Sequence, residues 1–312
     1  MSESMDVLNE PAKRVNALVL CGGGSRGATE IGLYKALVEL GISIDLIVGT
    51  SVGAINGALM ASGYSPDQLG ALWTRFERKT LFPFNWRIVC QAWKAPSLFL
   101  ADRLARLLRS ALPVARFEDL HIPLVVTATD LQTAQPIYLD SGDLLAAVLA
   151  STALPPYLPP VEHEGRLLID GGVVANLPIG EAVARGATHV FGLLCHCAEE
   201  LVRPPRGFLD IQARALRIAV ERQMRHEIAQ YSGSTELVIL EPCLDFPPSI
   251  LKLDRIEALV EESYRFVRAE LLSRHFGRED GDSRSSVASR WKARGDEASA
   301  AAVRSSQVVG GG

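Results

Sequence analysis

The sequence predicts an α/β fold in which a doubly wound, mostly parallel sheet lies between two layers of helices, a three-layer α/β/α arrangement. Short apolar runs alternate along the chain with segments of helical spacing, and this alternation is typical of parallel sheets. Several runs are almost continuously apolar, as expected for strands buried on both faces. With 312 residues and 48% hydrophobic residues, the chain can bury one large core.

The first predicted strand covers residues 15–21 and leads into a glycine-rich turn. A helix over 27–40 follows, and Gly41 ends it. The second strand is predicted over 44–48, where Gly49 ends it, and a helix of small residues begins at Gly53. Further strands, with helices between several of them, are predicted over residues 124–128, 167–169, 190–194 and 237–240.

Three regions divide the chain. Residues 1–14 are a polar N-terminal arm, 15–276 form the main domain, and 277–312 are polar, rich in Ser, Ala and Gly, and predicted to be a disordered tail. Within the main domain, about 72–113 is rich in aromatic and basic residues and is predicted to be a helical insertion at one edge of the sheet. Such a mixture suits peripheral contact with an anionic membrane surface, and a cap packed on the core is the alternative.

Composition narrows the function. The net charge of -4 and the absence of a basic stripe argue against a nucleic-acid partner. The N-terminus lacks the apolar region of a signal peptide and no apolar run reaches 18 residues, so a cytoplasmic location is expected. The five cysteines are odd in number and scattered, which favours reduced, buried thiols. Cys195-His196-Cys197 has no second ligand pair at zinc-finger spacing, so no metal is expected.

Residues 49–53 form a Gly-x-Ser-x-Gly motif between a predicted strand and a predicted helix. A nucleophilic serine needs a sharp turn at the end of a strand, and Gly49 and Gly53 give that turn room. The following helix would direct its N-terminus, beginning with the Val52 N–H, toward a developing oxyanion. Ser51 is therefore a candidate nucleophile. The alternative is an ordinary turn with Ser51 near the helix N-cap.

The run Gly22-Gly23-Gly24-Ser25-Arg26-Gly27 allows several interpretations. It fits the dinucleotide-binding fingerprint, but that fingerprint needs an acidic residue at the end of the second strand, where Ser51 stands instead. An oxyanion loop of exposed backbone N–H groups fits better, and a structural turn stays open. Arg26 either pairs with Glu30 at the surface or forms an electropositive rim.

The nucleophile needs a base, and the predicted strand over 167–169 ends in Asp170-Gly171-Gly172. In a parallel sheet this carboxylate would lie at the same edge as Ser51, where ligands bind in open α/β folds. An exposed aspartate, with a pKa near ~3.9, is a weak base, but burial beside the serine would raise that pKa. A plain Asp-Gly turn is the alternative.

Together, the motifs at 22–27, 49–53 and 170–172 resemble the patatin-like phospholipase family. The segments 150–160 and 173–178 resemble those that flank the family's aspartate, and the similarity covers roughly residues 15 to 200. The resemblance implies a Ser–Asp dyad without a metal or other cofactor. Carried over by position, it makes Ser51 the nucleophile, Asp170 the proton acceptor, and Gly22, Gly23, Gly24 and Arg26 the oxyanion loop.

Three classes of function stay open at this point. The first is a lipid acyl hydrolase of the phospholipase A or lysophospholipase type. A carboxylesterase or thioesterase with the same dyad is the second, and a non-enzymatic or nucleotide-binding α/β module is the third. A triad is also conceivable, and His196 is then the candidate third member because it closes the strand predicted over 190–194.

Overall fold

The computed structural model describes residues 14–75, 83–90, 94–195, 204–205, 207–244 and 255–274. The predicted disordered tail and all but the last residue of the predicted N-terminal arm lie outside the described residues.

One sheet of eight strands organises the described chain, in the order β5-β6-β3-β2-β1-β7-β8 with β4 also paired to β3. The strands β3, β2, β1, β7 and β8 run parallel, whereas β4, β5 and β6 are antiparallel to their neighbours. The bounds of β1 to β8 are Asn16–Leu20, Leu46–Thr50, Leu124–Asp130, Pro136–Leu139, Val161–His163, Arg166–Asp170, His189–Leu193 and Glu236–Leu240.

The predicted α/β class is confirmed, with two differences of detail. The second strand continues through Gly49 to Thr50, so the glycine did not end it as predicted. The strands β4 and β5 were not predicted, because both are short and only half-buried and therefore lack a continuous apolar run.

Helices cover the sheet in two groups. In chain order, α1 to α9 are Ala28–Glu39, Val52–Ala61, Pro66–Thr74, Arg87–Cys90, Asp102–Ala111, Leu144–Ser151, Ile179–Ala184, Phe208–Tyr231 and Ile256–Ser273. In the first group, α1, α2, α3, α6 and α9 pack on one another and on β1, β2, β3 and β7. In the second group, α7 and α8 pack on each other and on β1, β2 and β8. Strands β1, β2 and β3 are buried along their whole length, which explains their near-continuous apolar sequences.

Within the described part of the predicted insertion, α4 and α5 are helical as expected. An unpredicted antiparallel bridge joins Phe84 to Phe99. Backbone N–H groups of Leu98 and Phe99 donate to the carbonyls of Pro156 and Tyr157, which ties this segment to the chain that precedes β6. No described helix is both long enough and apolar enough to cross a bilayer.

Candidate active site

Ser51 stands on the sharp turn between β2 and α2. Its backbone has φ 55° and ψ -122°, a conformation that residues other than glycine rarely adopt and that costs about 1–3 kcal/mol. The Ser51 hydroxyl donates to Asp170 Oδ2 at 2.6 Å. This turn holds the hydroxyl clear of the strand and against a carboxylate from another part of the chain.

Asp170 ends β6 and is 2% exposed. Its Oδ1 accepts a hydrogen bond from the Gly172 N–H at 2.8 Å. Burial raises the pKa of Asp170 to about 6, and the hydrogen bonds from Ser51 and Gly172 partly oppose that rise. The carboxyl group is therefore a stronger base than an exposed aspartate, in the direction that the sequence predicts.

Register explains why Ser51 and Asp170 meet. Strand β3 pairs with β2 as far as Thr50–Thr127, and its next residue, Ala128, pairs with Asp170 of β6. Because β4 pairs with β3 across both of these registers, β2 and β6 lie end to end along the opposite side of β3. The predicted position of Asp170 is right, but the reason given for it is wrong, since β6 is antiparallel and approaches the site from beyond the end of β2.

The motif glycines lie where two segments of backbone come too close for a side chain. A Cβ on Gly53 would overlap the Leu20 carbonyl, and one on Gly171 would overlap the Thr127 carbonyl. A Cβ on Gly49 would likewise lie under 3 Å from the Gly53 backbone, whereas at Gly22, Gly27 and Gly172 it would meet the side chains of Asn176 or Val52. Gly49 and Gly53 thus let β2, α2 and β1 pack closely, and Gly171 lets the turn after Asp170 rest on β3.

The glycine loop before α1 adjoins Ser51. A Cβ on Gly22 would lie 3.0 Å from the Ser51 Cβ, and residues Gly24–Gly27 form a 3-10 turn. The Gly22 N–H donates to Asn176 Oδ1 at 3.1 Å, which corrects the expectation that this N–H is available to an oxyanion. Among the described residues, no acceptor pairs with the N–H groups of Gly23 and Gly24. The Ser25 N–H also has no acceptor among the described residues, so the loop can offer these three donors to a substrate.

Arg26 and Ser25 are both buried in this loop. Arg26 is 5% exposed and Glu30 is fully buried, so neither the predicted surface pair nor the predicted electropositive rim is correct. Arg26 is buried because it lies in the 3-10 turn, which packs against the interior on both sides. Gly23, just before the turn, contacts Cys195, and Gly27, at its end, contacts Val52.

Two residues that the sequence reasoning did not single out connect the loops of the site. Asn176 accepts from the Gly22 N–H and donates through Nδ2 to the Gly22 carbonyl at 3.3 Å, joining the glycine loop to the segment after Asp170. Ser151, the last residue of α6, accepts from the Ser51 N–H at 2.8 Å. The available signal was their place in the two segments that flank β6, which resemble the family's sequence.

A buried cluster lies beneath the glycine loop. Cys21, Glu30 and Cys195 bring three potential ligand atoms within 4.8 Å of one another, and this is the group that the described residues offer to a metal ion. Cys21 and Cys195 are free thiols, as predicted, whereas Cys243 is disulfide-bonded, which the spacing of cysteines in the sequence could not reveal. The candidate triad residue His196 lies outside the described residues.

The chain is similar to known proteins over a little more than half of its length. A family described as "Patatin-like phospholipase" matches residues 18–183. Among curated proteins, "Patatin-like phospholipase domain-containing protein 6" of Homo sapiens is 35% identical over 182 residues, which are 57% of this chain and 13% of that protein. "Lysophospholipase NTE1" of Candida glabrata is 34% identical over 178 residues, 56% of this chain and 10% of that protein. The chain thus matches about an eighth or less of the length of these relatives.

Two solved structures also match. VipD from Legionella pneumophila gives a TM-score of 0.46 at 13% identity, over 84% of this chain and 67% of that chain. ExoU, a type III effector protein, gives a TM-score of 0.44 at 16% identity, over 85% of this chain and 53% of that chain.

Proposed function

The chain belongs to the patatin-like phospholipase family, and from that premise we propose that it hydrolyses acyl esters of lipids with a Ser51–Asp170 dyad. The observation that carries the proposal is the 2.6 Å hydrogen bond from the Ser51 hydroxyl to Asp170 Oδ2. A nucleophile within hydrogen-bond reach of a buried base, on a strained turn, is the arrangement that covalent acyl transfer requires.

In the acylation step, the Ser51 Oγ attacks the ester carbonyl carbon while its proton passes to Asp170. A pKa of about 6 keeps most of the carboxyl ionised at pH 7 and still brings it close to the operating pH, which favours proton transfer in both directions. Collapse of the tetrahedral intermediate breaks the bond to the leaving alcohol. Asp170 returns the proton to that oxygen, and an acyl-Ser51 ester remains.

The negative charge that develops on the substrate's carbonyl oxygen must be stabilised by hydrogen-bond donors that point at it. The N–H groups of Gly23 and Gly24 fit this role because no described acceptor occupies them, and Val52 adds the first N–H of α2. Removing one donor of such a hole typically costs about a hundredfold to a thousandfold in rate. The Ser25 N–H is a third such donor in the loop, whereas Arg26 and Gly27 would support the loop rather than contact the substrate.

In the deacylation step, Asp170 takes a proton from water as the water oxygen attacks the acyl carbon. The second tetrahedral intermediate releases the free acid and restores the Ser51 hydroxyl when Asp170 gives the proton back. No step requires a histidine, a metal or another cofactor.

A lipid ester is favoured over a small soluble ester for two reasons. The relatives are named as a lysophospholipase and as a phospholipase-domain protein. The segment that is hydrogen-bonded to Pro156 and Tyr157 also exposes several large apolar side chains and two cationic ones: Phe84, Trp86, Val89, Leu100, Arg87 and Lys94. Aromatic and aliphatic groups next to cations suit the surface of an anionic bilayer or lipid aggregate.

Fluorophosphonate labelling tests the dyad, because only an activated serine reacts quickly. We expect rapid labelling of the wild type and none at Ser51→Ala. Ser263→Ala, a buried serine on α9 whose hydroxyl binds only carbonyls of its own helix, serves as the matched control. Labelling that persists in Ser51→Ala contradicts the assignment of Ser51 as the nucleophile, and a wild type that does not label leaves the non-enzymatic alternative.

The lipid preference has a separate test. Hydrolysis of a lysophospholipid should increase sharply when the substrate aggregates, whereas a carboxylesterase or thioesterase acting on soluble substrate should show no such rise. Flotation with anionic vesicles at low salt should carry the wild type, and Trp86→Ala should float less than Leu272→Ala, an exposed leucine on α9. Equal flotation of the two variants would argue for a cap without membrane contact.

A further inference from the structure

We propose that Ser151 is a positioning residue that holds the nucleophile's turn in its reactive conformation. The catalytic part of this inference rests on the proposed function, because it concerns how fast Ser51 reacts. Ser151 does not contact the Ser51 hydroxyl or Asp170 in any described hydrogen bond, so its effect would pass through the backbone of Ser51.

Two short hydrogen bonds fix the Ser151 hydroxyl. It donates its single proton to the Thr127 carbonyl at 2.6 Å and accepts the Ser51 N–H at 2.8 Å. A hydroxyl has one proton, so donation to Thr127 directs a lone pair toward Ser51. Ser151 is fully buried at the end of α6, where water cannot take over either bond.

The partner carbonyl belongs to the rigid centre of the site. Thr127 pairs with Thr50, the last residue of β2, and the turn after Asp170 packs on the Thr127 carbonyl through Gly171. The hydroxyl of Ser151 therefore links the Ser51 backbone to β3. The same strand pairs with β6 and so fixes the position of Asp170. A change in this link would alter the distance between the two reacting groups.

The Ser51 backbone needs such a restraint because its φ of 55° and ψ of -122° store strain. A buried N–H left without an acceptor costs about 1–3 kcal/mol, so loss of the Ser151 oxygen favours any relaxation of the turn that finds another acceptor. The same bond removes the Ser51 N–H from the donors available to an oxyanion. That role then falls to the next N–H, on Val52.

Ser151→Ala should lower kcat about tenfold to a hundredfold and leave KM within about threefold, because a displacement of roughly 1 Å at a reacting atom can cost a hundredfold while substrate contacts persist. Ser263→Ala is the matched control, since it removes an equally buried serine hydroxyl far along the chain from the site. Its kcat should equal that of the wild type. Ser151→Cys should give an intermediate kcat, because a thiol keeps one donor and one acceptor but is larger than a hydroxyl and forms weaker hydrogen bonds.

Amide hydrogen exchange at Ser51 supplies a second readout that is independent of activity. The Ser51 N–H should exchange measurably faster in Ser151→Ala than in the wild type or Ser263→Ala, because its acceptor is gone. If Ser151→Ala is not recovered in folded form, Ser151→Cys carries both measurements.

Three outcomes overturn the inference. The first is a kcat for Ser151→Ala and Ser151→Cys equal to that of Ser263→Ala, and the second is unchanged exchange at Ser51. A fall in kcat that accompanies an equal loss of thermal stability and a large rise in KM also overturns it, because that pattern indicates general damage. Failure of the proposed function looks different: the wild type is then inactive toward every ester, while the exchange experiment still decides whether Ser151 holds the turn.

Discussion

Two buried carboxyl groups, Asp170 at the carboxyl edge of the sheet and Glu30 beneath the glycine loop, differ in what surrounds them. Both are almost without exposure, and burial is the largest cause of the raised pKa in each. Asp170 faces the partly exposed hydroxyl of Ser51. Glu30 accepts from Asn56 Nδ2 at 2.8 Å and lies near the thiol of Cys195, whose negative form would raise its pKa further.

The contrast shows that burial alone does not make a catalytic base. Burial raises the pKa of the carboxyl group at both places. Of the two groups, Asp170 is the one whose proton donor, the Ser51 hydroxyl, is partly exposed and can meet a substrate. The Asn56 side chain binds Glu30 on one side and the Trp73 ring nitrogen on the other, and all three are buried. Glu30 therefore belongs to an enclosed network and Asp170 to a site open at one side.

Replacing the base should give the largest effect. Asp170→Asn should lower kcat by about a thousandfold or more, because an amide cannot accept the Ser51 proton. The folded-state pKa of Asp170 is above its ordinary value, so this carboxyl stabilises the fold at low pH and loses that contribution as pH rises through about 6. At pH 8, Asp170→Asn should therefore unfold at the same temperature as the wild type or higher.

Steady-state kinetics and thermal unfolding at pH 8 check both parts of this prediction. A variant that is inactive because it is unfolded would show a lower melting temperature, and that result would remove Asp170→Asn as evidence for a base. Activity within tenfold of the wild type would exclude the dyad.

The pH dependence should give the next largest effect. Below pH 6, kcat/KM should fall roughly tenfold for each unit, and above about pH 7 it should be flat, because only the ionised form of Asp170 accepts the proton. Profiles of kcat/KM measured from pH 4.5 to 8 on a soluble ester check this. A midpoint of the kcat/KM profile near the ordinary aspartate pKa would contradict the prediction, because it would mean that water solvates Asp170 more than its burial indicates.

The smallest effect on activity is expected at Glu30. Glu30→Gln keeps an oxygen for Asn56 and removes the possibility of a buried charge, so kcat should stay within about threefold and the midpoint of the pH profile should not move. The melting temperature at pH 8 should rise by at least about 2 °C, the change that ~1 kcal/mol produces in a domain of this size. A loss of activity comparable to that of Asp170→Asn would end the distinction between the two carboxyl groups.

Much of the fold was predictable because its signals are local. The apolar runs of β1, β2, β3, β7 and β8 and the glycines at 49 and 53 are visible in any short window of sequence, and each reports on a strand or turn in that window. Strands were not predicted where the local signal is weak, as in the half-buried β4 and β5.

Long-range relations account for the rest. The sequence could not say that Asn176 would bind Gly22, 154 residues away, or that Ser151 would bind Ser51, 100 residues away. Nor could it say that Arg26 would be buried, since a charged residue near a helix start is usually exposed.

By itself, the sequence determined the kind of fold, the nucleophile's turn and the identity of the candidate base, because backbone conformation and strand burial depend on residues close together in the chain. Tertiary structure alone decided the direction of β6, the pairing that sets Asp170 beside Ser51, and which backbone N–H groups stay available. Those features depend on contacts between segments from 41 to 154 residues apart, and such contacts form only when the whole sheet has been assembled.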